Sequence, residues 1–310
     1  MKLILHIGQE KTGTTALQHG LYLNEAVLNQ HGFCLSHTID STNNRGLVAC
    51  FQKNPDNYFI LNNLTSPEAI EAFRNRTLAG FQAEVKELSK HYHTLIVTSE
   101  HFQSRLVQPN SIAQLSEYLN GIFDDIDVIC YFRRQDSKVS SAYSTHISVG
   151  GTGSFSKHLE NAKRRRNGNF NYVYFANKWT AHFASSRFMP RFFSRNALEG
   201  GDIMVDFFSA LGSPQVADDL ETPAGERNVS LSRRGLWLLR RTNRLFPRFR
   251  NGRESKIHRL VTGVIKASRW AQFGPKLDVT QLDPEFMSHF EKKNRRFLKE
   301  YMPHIRPEDF

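Results

Sequence analysis

Apolar and polar positions alternate between two periods along this chain. Leu3-Ile4-Leu5 is a short apolar strand that runs into a Gly-, Lys- and Thr-rich turn. Ala16, Leu17, Leu21, Leu23, Val27 and Leu28 then recur at helical spacing, and Gly32 follows as a stop. Phe33-Cys34-Leu35 reads as a second short strand, and residues 37–46 as polar loop. Ser66-Pro67-Glu68 starts a helix, a capping Ser with Pro at the first helical position, and apolar spacing carries it to about residue 90. Residues 94–98 form a strand, about 111–122 a helix and 128–132 a third strong strand. Beyond them come a helix near 175–183, an edge strand at 187–192, a helix near 203–211 and a Pro-, Asp- and Gly-rich loop at 212–226. The remainder reads as helical and basic.

Strands and helices in alternation, with continuously apolar strands, predict an α/β fold: a P-loop-like parallel sheet with helices on both faces. The expected division is a core at 1–225 and a basic helical C-terminal subdomain at 226–310 packed on it. Ligands of such sheets gather at the carboxyl ends of the strands. The turn at 8–15, Ser99-Glu100-His101 and Arg133-Arg134 all follow strand ends and are expected to converge.

With 310 residues there is ample chain for a sizeable core, and no run of about 18 apolar residues predicts a membrane span. Cys34, Cys50 and Cys130 have neither metal-ligand spacing nor a disulfide framework, and no secretory segment precedes the first strand. Together these predict a cytoplasmic protein. The net charge of +11 is unevenly placed: eleven Lys and Arg between Arg227 and Arg259 face only Glu226 and Glu254. Such density favours an anionic partner, whether an acidic glycan, a nucleic acid or a membrane surface. Aromatic interleaving of the RNA-binding kind is absent, so no specific nucleic-acid partner is expected.

The turn Gly8-Gln9-Glu10-Lys11-Thr12-Gly13-Thr14-Thr15 places backbone N–H groups, hydroxyls and an ammonium at a helix N-terminus, where an anion is favoured. A nucleotide triphosphate P-loop would carry Lys after its second Gly. Here Thr14 holds that place and Lys11 lies on the strand side. Lys11-Thr12-Gly13-Thr14-Thr15 resembles the 5′-phosphosulfate loop of the sulfotransferases that use 3′-phosphoadenosine 5′-phosphosulfate (PAPS), a metal-independent family. Arg133 and, eight residues on, Ser141 resemble that family's 3′-phosphate motif, and a guanidinium with a hydroxyl two helical turns along suits a phosphate dianion. Asp136 is placed to cap the helix that presents Ser141. Weaker resemblance to bacterial carbohydrate-type members runs through Phe192–Leu198, Gly200-Gly201-Asp202-Ile203, Asp206-Phe207-Phe208 and Asn228-Val229-Ser230-Leu231-Ser232. Gln9-Glu10 and Arg134-Gln135 depart from the cytosolic small-molecule enzymes, and Glu10 is expected to point away from the anion.

The resemblance implies transfer of the sulfuryl group of PAPS to a hydroxyl or amine of a carbohydrate-type acceptor. Gly8, Lys11, Thr12, Gly13, Thr14, Thr15, Arg133 and Ser141 would bind the cofactor, and Lys11 would also stabilise the departing phosphate oxygen. A general base is required. Glu100 is the first candidate, then His101, then His37; Ser99 and Asn44 are candidates for acceptor binding. The basic C-terminal helices suggest an acceptor that is anionic or presented at a membrane. The alternatives are a P-loop kinase using ATP and Mg²⁺, and a nucleotide- or polyanion-binding protein without turnover.

Overall fold

The computed structural model describes residues 1–40, 42–164, 167–221, 231–250, 253–307 and 310. The chain begins with β1 (Lys2–His6), α1 (Thr14–Leu23), α2 (Glu25–Gln30), β2 (Phe33–Leu35), α3 (Arg45–Phe51) and α4 (Asn57–Leu61). Next come α5 (Pro67–Leu88), β3 (Thr94–Thr98), α6 (His101–Arg105), α7 (Pro109–Asn120) and β4 (Asp125–Phe132). They are followed by α8 (Gln135–Ser148), α9 (Phe155–Ala162), α10 (Tyr172–His182), β5 (Arg187–Phe192), α11 (Ile203–Ala210) and α12 (Gln215–Asp218). The last stretch holds α13 (Arg233–Leu245), β6 (Phe249–Arg250), β7 (Arg253–Glu254), α14 (Lys256–Ala267), α15 (Arg269–Gln272), α16 (Val279–Leu282) and α17 (Ser288–Tyr301).

The chain divides into two compact units: residues 1–133, 172–224 and 296–310 form the first, and 134–171 with 225–295 the second. This shares the boundary near 225 with the expected division. It differs in giving 134–171 to the second unit and the last fifteen residues to the first.

The first unit is built on a five-stranded sheet in the order β2-β3-β1-β4-β5, parallel throughout. Successive residues of each strand bury on opposite faces. Leu3, Leu5, Leu95, Val97, Val128 and Cys130 pack on one side with α3, α5, α7 and α10. Ile4, Ile96, Ile129 and Tyr131 pack on the other with α1 and α11. Both faces are therefore covered, the arrangement that near-continuous apolar strands require.

The structure departs from the sequence pattern in a few places, each with a local cause. The helix expected to run unbroken to Gly32 is cut at Asn24. Its side-chain amide bonds the Gly20 and Glu221 carbonyls, and its oxygen accepts from Glu221 N–H at 2.7 Å. The expected loop at 37–46 ends in α3, which is buried along its whole length. Asn44, fully buried, organises that turn: it donates to Asp40 O and accepts from Thr98 N–H at 2.8 Å. Asp136 is not the cap of α8. Arg134 holds that place, and Asp136 lies in the first turn, bonded to Ser137 N–H and the Arg134 guanidinium. Of the 228–232 segment, residues 228–230 lie outside the described residues, and Ser232 caps α13 by accepting from Gly235 N–H.

Asp206, in the Asp206-Phe207-Phe208 stretch, has a structural role. It is 1% exposed, accepts from Tyr131 Oη at 2.7 Å and from Arg191 Nε and Nη2 at 3.0 and 2.5 Å, and receives Glu199 N–H. Asp202 caps α11 from the preceding turn. In the second unit α8, α9, α13 and α15 close over two small apolar clusters, one around Phe286 and Phe290 and one around Leu236 and Leu239.

Candidate functional site

Parallel register sets the site. His6 pairs with Thr98 on one side and Ile129 on the other, so residues 7–15, 99–101 and 133 leave the sheet at the same end. Backbone bonds extend the sheet past the strand. Ile7 N–H donates to Ile129 O, Tyr131 N–H to Gly8 O, and Ser99 N–H to His6 O, each at 3.0 Å. Below the loop His6 is completely buried, its Nδ1 2.7 Å from Thr98 Oγ1, and burial pushes its imidazole down to about 3. It is a neutral structural residue.

The loop turns through three left-handed residues: Gly8 at φ 95°, Lys11 at 71° and Gly13 at 77°. Glycine pays nothing for this, but Lys11 does, and non-glycine residues in that region cluster at functional sites. A Cβ on Gly13 would stand 2.5 Å from the Phe193 ring and 2.8 Å from Ile203. Thr12 and Thr14 are buried and both donate their hydroxyls to Gln9 O, at 2.6 and 3.0 Å, closing the loop on itself. Thr15 is exposed. No side chain caps α1 and no acidic residue lies in its first turn, which leaves its leading N–H groups for an anion. No described residue pairs with the Lys11 ammonium. These donors suit an anionic group.

Arg133 reaches the same loop. Its Nη1 donates to Lys11 O at 3.1 Å, its guanidinium lies 5.8 Å from the Phe193 ring centroid, and its own carbonyl accepts from Tyr172 Oη at 2.5 Å. Ser141, its partner in the sequence motif, is half-buried on α8 in the second unit.

Glu100 follows β3 directly below Gly8, whose Cβ would meet the Glu100 Cα at 2.7 Å. Gln18, on the inner face of α1, donates to Glu100 Oε2 at 3.0 Å, and His101 Nε2 is 3.7 Å from Oε1. Burial, with Arg45 and Arg105 nearby, pushes the His101 imidazole down to about 4, so it is neutral at neutral pH. Its Nδ1 is buried with no partner among the described residues. Glu10 faces Arg105 at 3.8 Å, and Arg105 and the buried Arg45 share Asp56, at 2.6 and 3.0 Å.

The first unit thus gathers Gly8, Lys11 through Thr15, Glu100, His101 and Arg133. His37 stands apart, beyond the edge strand β2, with its Nε2 bound to Glu25 at 2.7 Å. Ser99 and Asn44 are fully buried and committed to backbone contacts, so neither offers a surface to an acceptor. Sequence reasoning missed Gln18 and the Arg45–Asp56–Arg105 cluster. Gln18 had one signal, a polar residue four positions past Thr14 on the inner face; the cluster joins segments far apart in sequence and had none.

No family model matches the chain, and no solved structure matches it. It is similar to an uncharacterized protein of Archaeoglobus fulgidus, 27% identical over 154 residues. Those residues are 48% of this chain and span 38% of that relative's length. The similarity brings no activity with it.

Proposed function

We propose that the chain is a sulfotransferase that moves the sulfuryl group of PAPS to a hydroxyl or amine of a carbohydrate-type acceptor. The observation that carries this reading is the uncapped start of α1 behind Lys11-Thr12-Gly13-Thr14-Thr15, held against Arg133 by the Lys11 carbonyl. When bound, PAPS supplies an activated sulfuryl group. The chain's own residues do the rest. The N–H groups at the start of α1 and the Lys11 ammonium hold the anionic end and stabilise negative charge on the departing oxygen. Arg133 suits a phosphate bidentately, and Ser141 follows it at the motif's spacing. Glu100, fixed at Oε2 by Gln18, accepts the acceptor's proton at Oε1. The buried, neutral His101 is the alternative acceptor of that proton.

The test is calorimetric titration with 3′,5′-adenosine bisphosphate beside ATP with Mg²⁺. Tight binding of the bisphosphate with little binding of ATP supports the reading. The reverse order favours a kinase, and binding of neither favours a protein without turnover.

A further inference from the structure

In the second unit, α14 buries polar side chains and exposes apolar ones. His258 and Thr262 are buried and Ile265 packs partly on the Leu236 cluster, while Ile257, Leu260 and Val264 stand outward with 60, 71 and 66% of their surface exposed. Positions 257, 260 and 264 fall on one helical face. The polar inward face is satisfied. His258 Nε2 lies 3.1 Å from Asn243 Oδ1 on α13, and Thr262 donates to His258 O at 2.7 Å. The helix is thus held by well-bonded buried partners with this apolar stripe turned outward. Trp270 and Phe273 follow it, 54 and 66% exposed, and α13 exposes Trp237 and Leu245. So many exposed large apolar side chains on neighbouring helices of one unit mark a candidate interaction site.

Charge limits what can cover it. Between Leu231 and Lys276 there are thirteen Lys and Arg and a single acidic residue, Glu254, which is already bound to Arg248 at 2.8 Å. A second copy docking on this face would set like charge against like. A nucleic acid or an acidic polysaccharide would answer the arginines and leave the aliphatic stripe unexplained. A bilayer with anionic headgroups answers both, because apolar side chains enter the acyl boundary while Lys and Arg pair with the lipid phosphates. No described helix is long and apolar enough to cross a membrane.

We propose that the α13–α15 face of the second unit docks on an anionic membrane surface, inserting Ile257, Leu260 and Val264 between basic flanks. This docking is independent of what the first unit binds.

The experiment is co-sedimentation of the full chain with vesicles of equimolar phosphatidylglycerol and phosphatidylcholine, beside vesicles of phosphatidylcholine alone. Binding is expected to the anionic vesicles, to weaken as salt is raised, and to be slight on neutral ones. Leu260→Glu with Val264→Glu should lower partitioning about ten-fold or more with unchanged circular dichroism. Should that variant fold poorly, Ile257→Gln with Trp270→Ala reads the same stripe. Failure of the wild type to bind anionic vesicles overturns the proposal, as does equal binding to neutral ones. Undiminished binding by folded stripe variants overturns it too, reducing the face to a charged patch. A dimer in sedimentation velocity that the stripe variants abolish, without vesicle binding, assigns the face to self-association.

Discussion

Gly8 packs against the backbone of Glu100: a Cβ on Gly8 would stand 2.7 Å from the Glu100 Cα, in a residue whose φ is 95°. The loop after β1 and the turn after β3 are therefore in contact through main chain, which no rotamer change relieves. Glu100 owes its position to that contact as much as to Gln18.

Gly8→Ala meets both obstacles, the left-handed backbone and the close approach. It is expected to destabilise the protein by about 2–3 kcal/mol, read as a lower urea midpoint at unchanged m-value. It should also displace Glu100 and lower any transfer activity beyond what the loss of folded protein explains. Full stability in the variant would mean that the contact is looser than the structure has it.

Lys11 and Arg133 meet at a single carbonyl, yet their losses should differ. The Lys11 ammonium has no described partner, so Lys11→Ala is expected to change stability by less than about 1 kcal/mol. Turnover with PAPS should nevertheless fall at least a hundred-fold or so, by analogy with removal of one transition-state stabiliser. Arg133 supports the loop through Lys11 O. Arg133→Ala should chiefly weaken affinity for 3′,5′-adenosine bisphosphate. Normal kinetics with PAPS in both variants would remove the loop from the site.

Much of this was legible in the sequence because it rests on local periodicity. Apolar runs at Leu3-Ile4-Leu5 and 94–98 fixed two strands, and their order with the intervening helices implied a parallel sheet whose ends meet. What escaped depended on distant partners. The break at Asn24 exists because residue 221 returns to bond its side chain. Helix α3 is short and buried all round, so Leu47-Val48-Ala49-Cys50-Phe51 shows no amphipathic period. The outward stripe of α14 was hidden because helical spacing does not tell which face turns inward; the satisfied pair His258 and Asn243 decides it.

His6 gives the first unit an acid-sensitive core. Its imidazole has an ordinary value near 6.5 and is held at about 3 by complete burial, so it stays neutral in the folded chain. Between those values the unfolded state binds more protons than the folded one, and stability falls as pH drops. The loss starts near pH 6.5 and continues to about 3; His101, held at about 4, adds to it over the upper part of that range. Urea midpoints of the wild type should fall across this interval, and His6→Gln should flatten the slope even if it lowers stability at pH 7. An unchanged slope would assign the acid sensitivity to other groups, His101 among them.

Glu100→Gln separates the two candidates for proton acceptor. The amide keeps the size of the carboxylate and can still bond Gln18, so loop geometry and affinity for 3′,5′-adenosine bisphosphate should persist. Proton acceptance is lost, and kcat is expected to fall by about two to four orders of magnitude. His101→Asn should then have a smaller effect, because its ring touches Glu100 only at 3.7 Å and its Nδ1 is buried. If Glu100→Gln turns over normally while His101→Asn does not, the roles exchange: the imidazole is the base and Glu100 positions it.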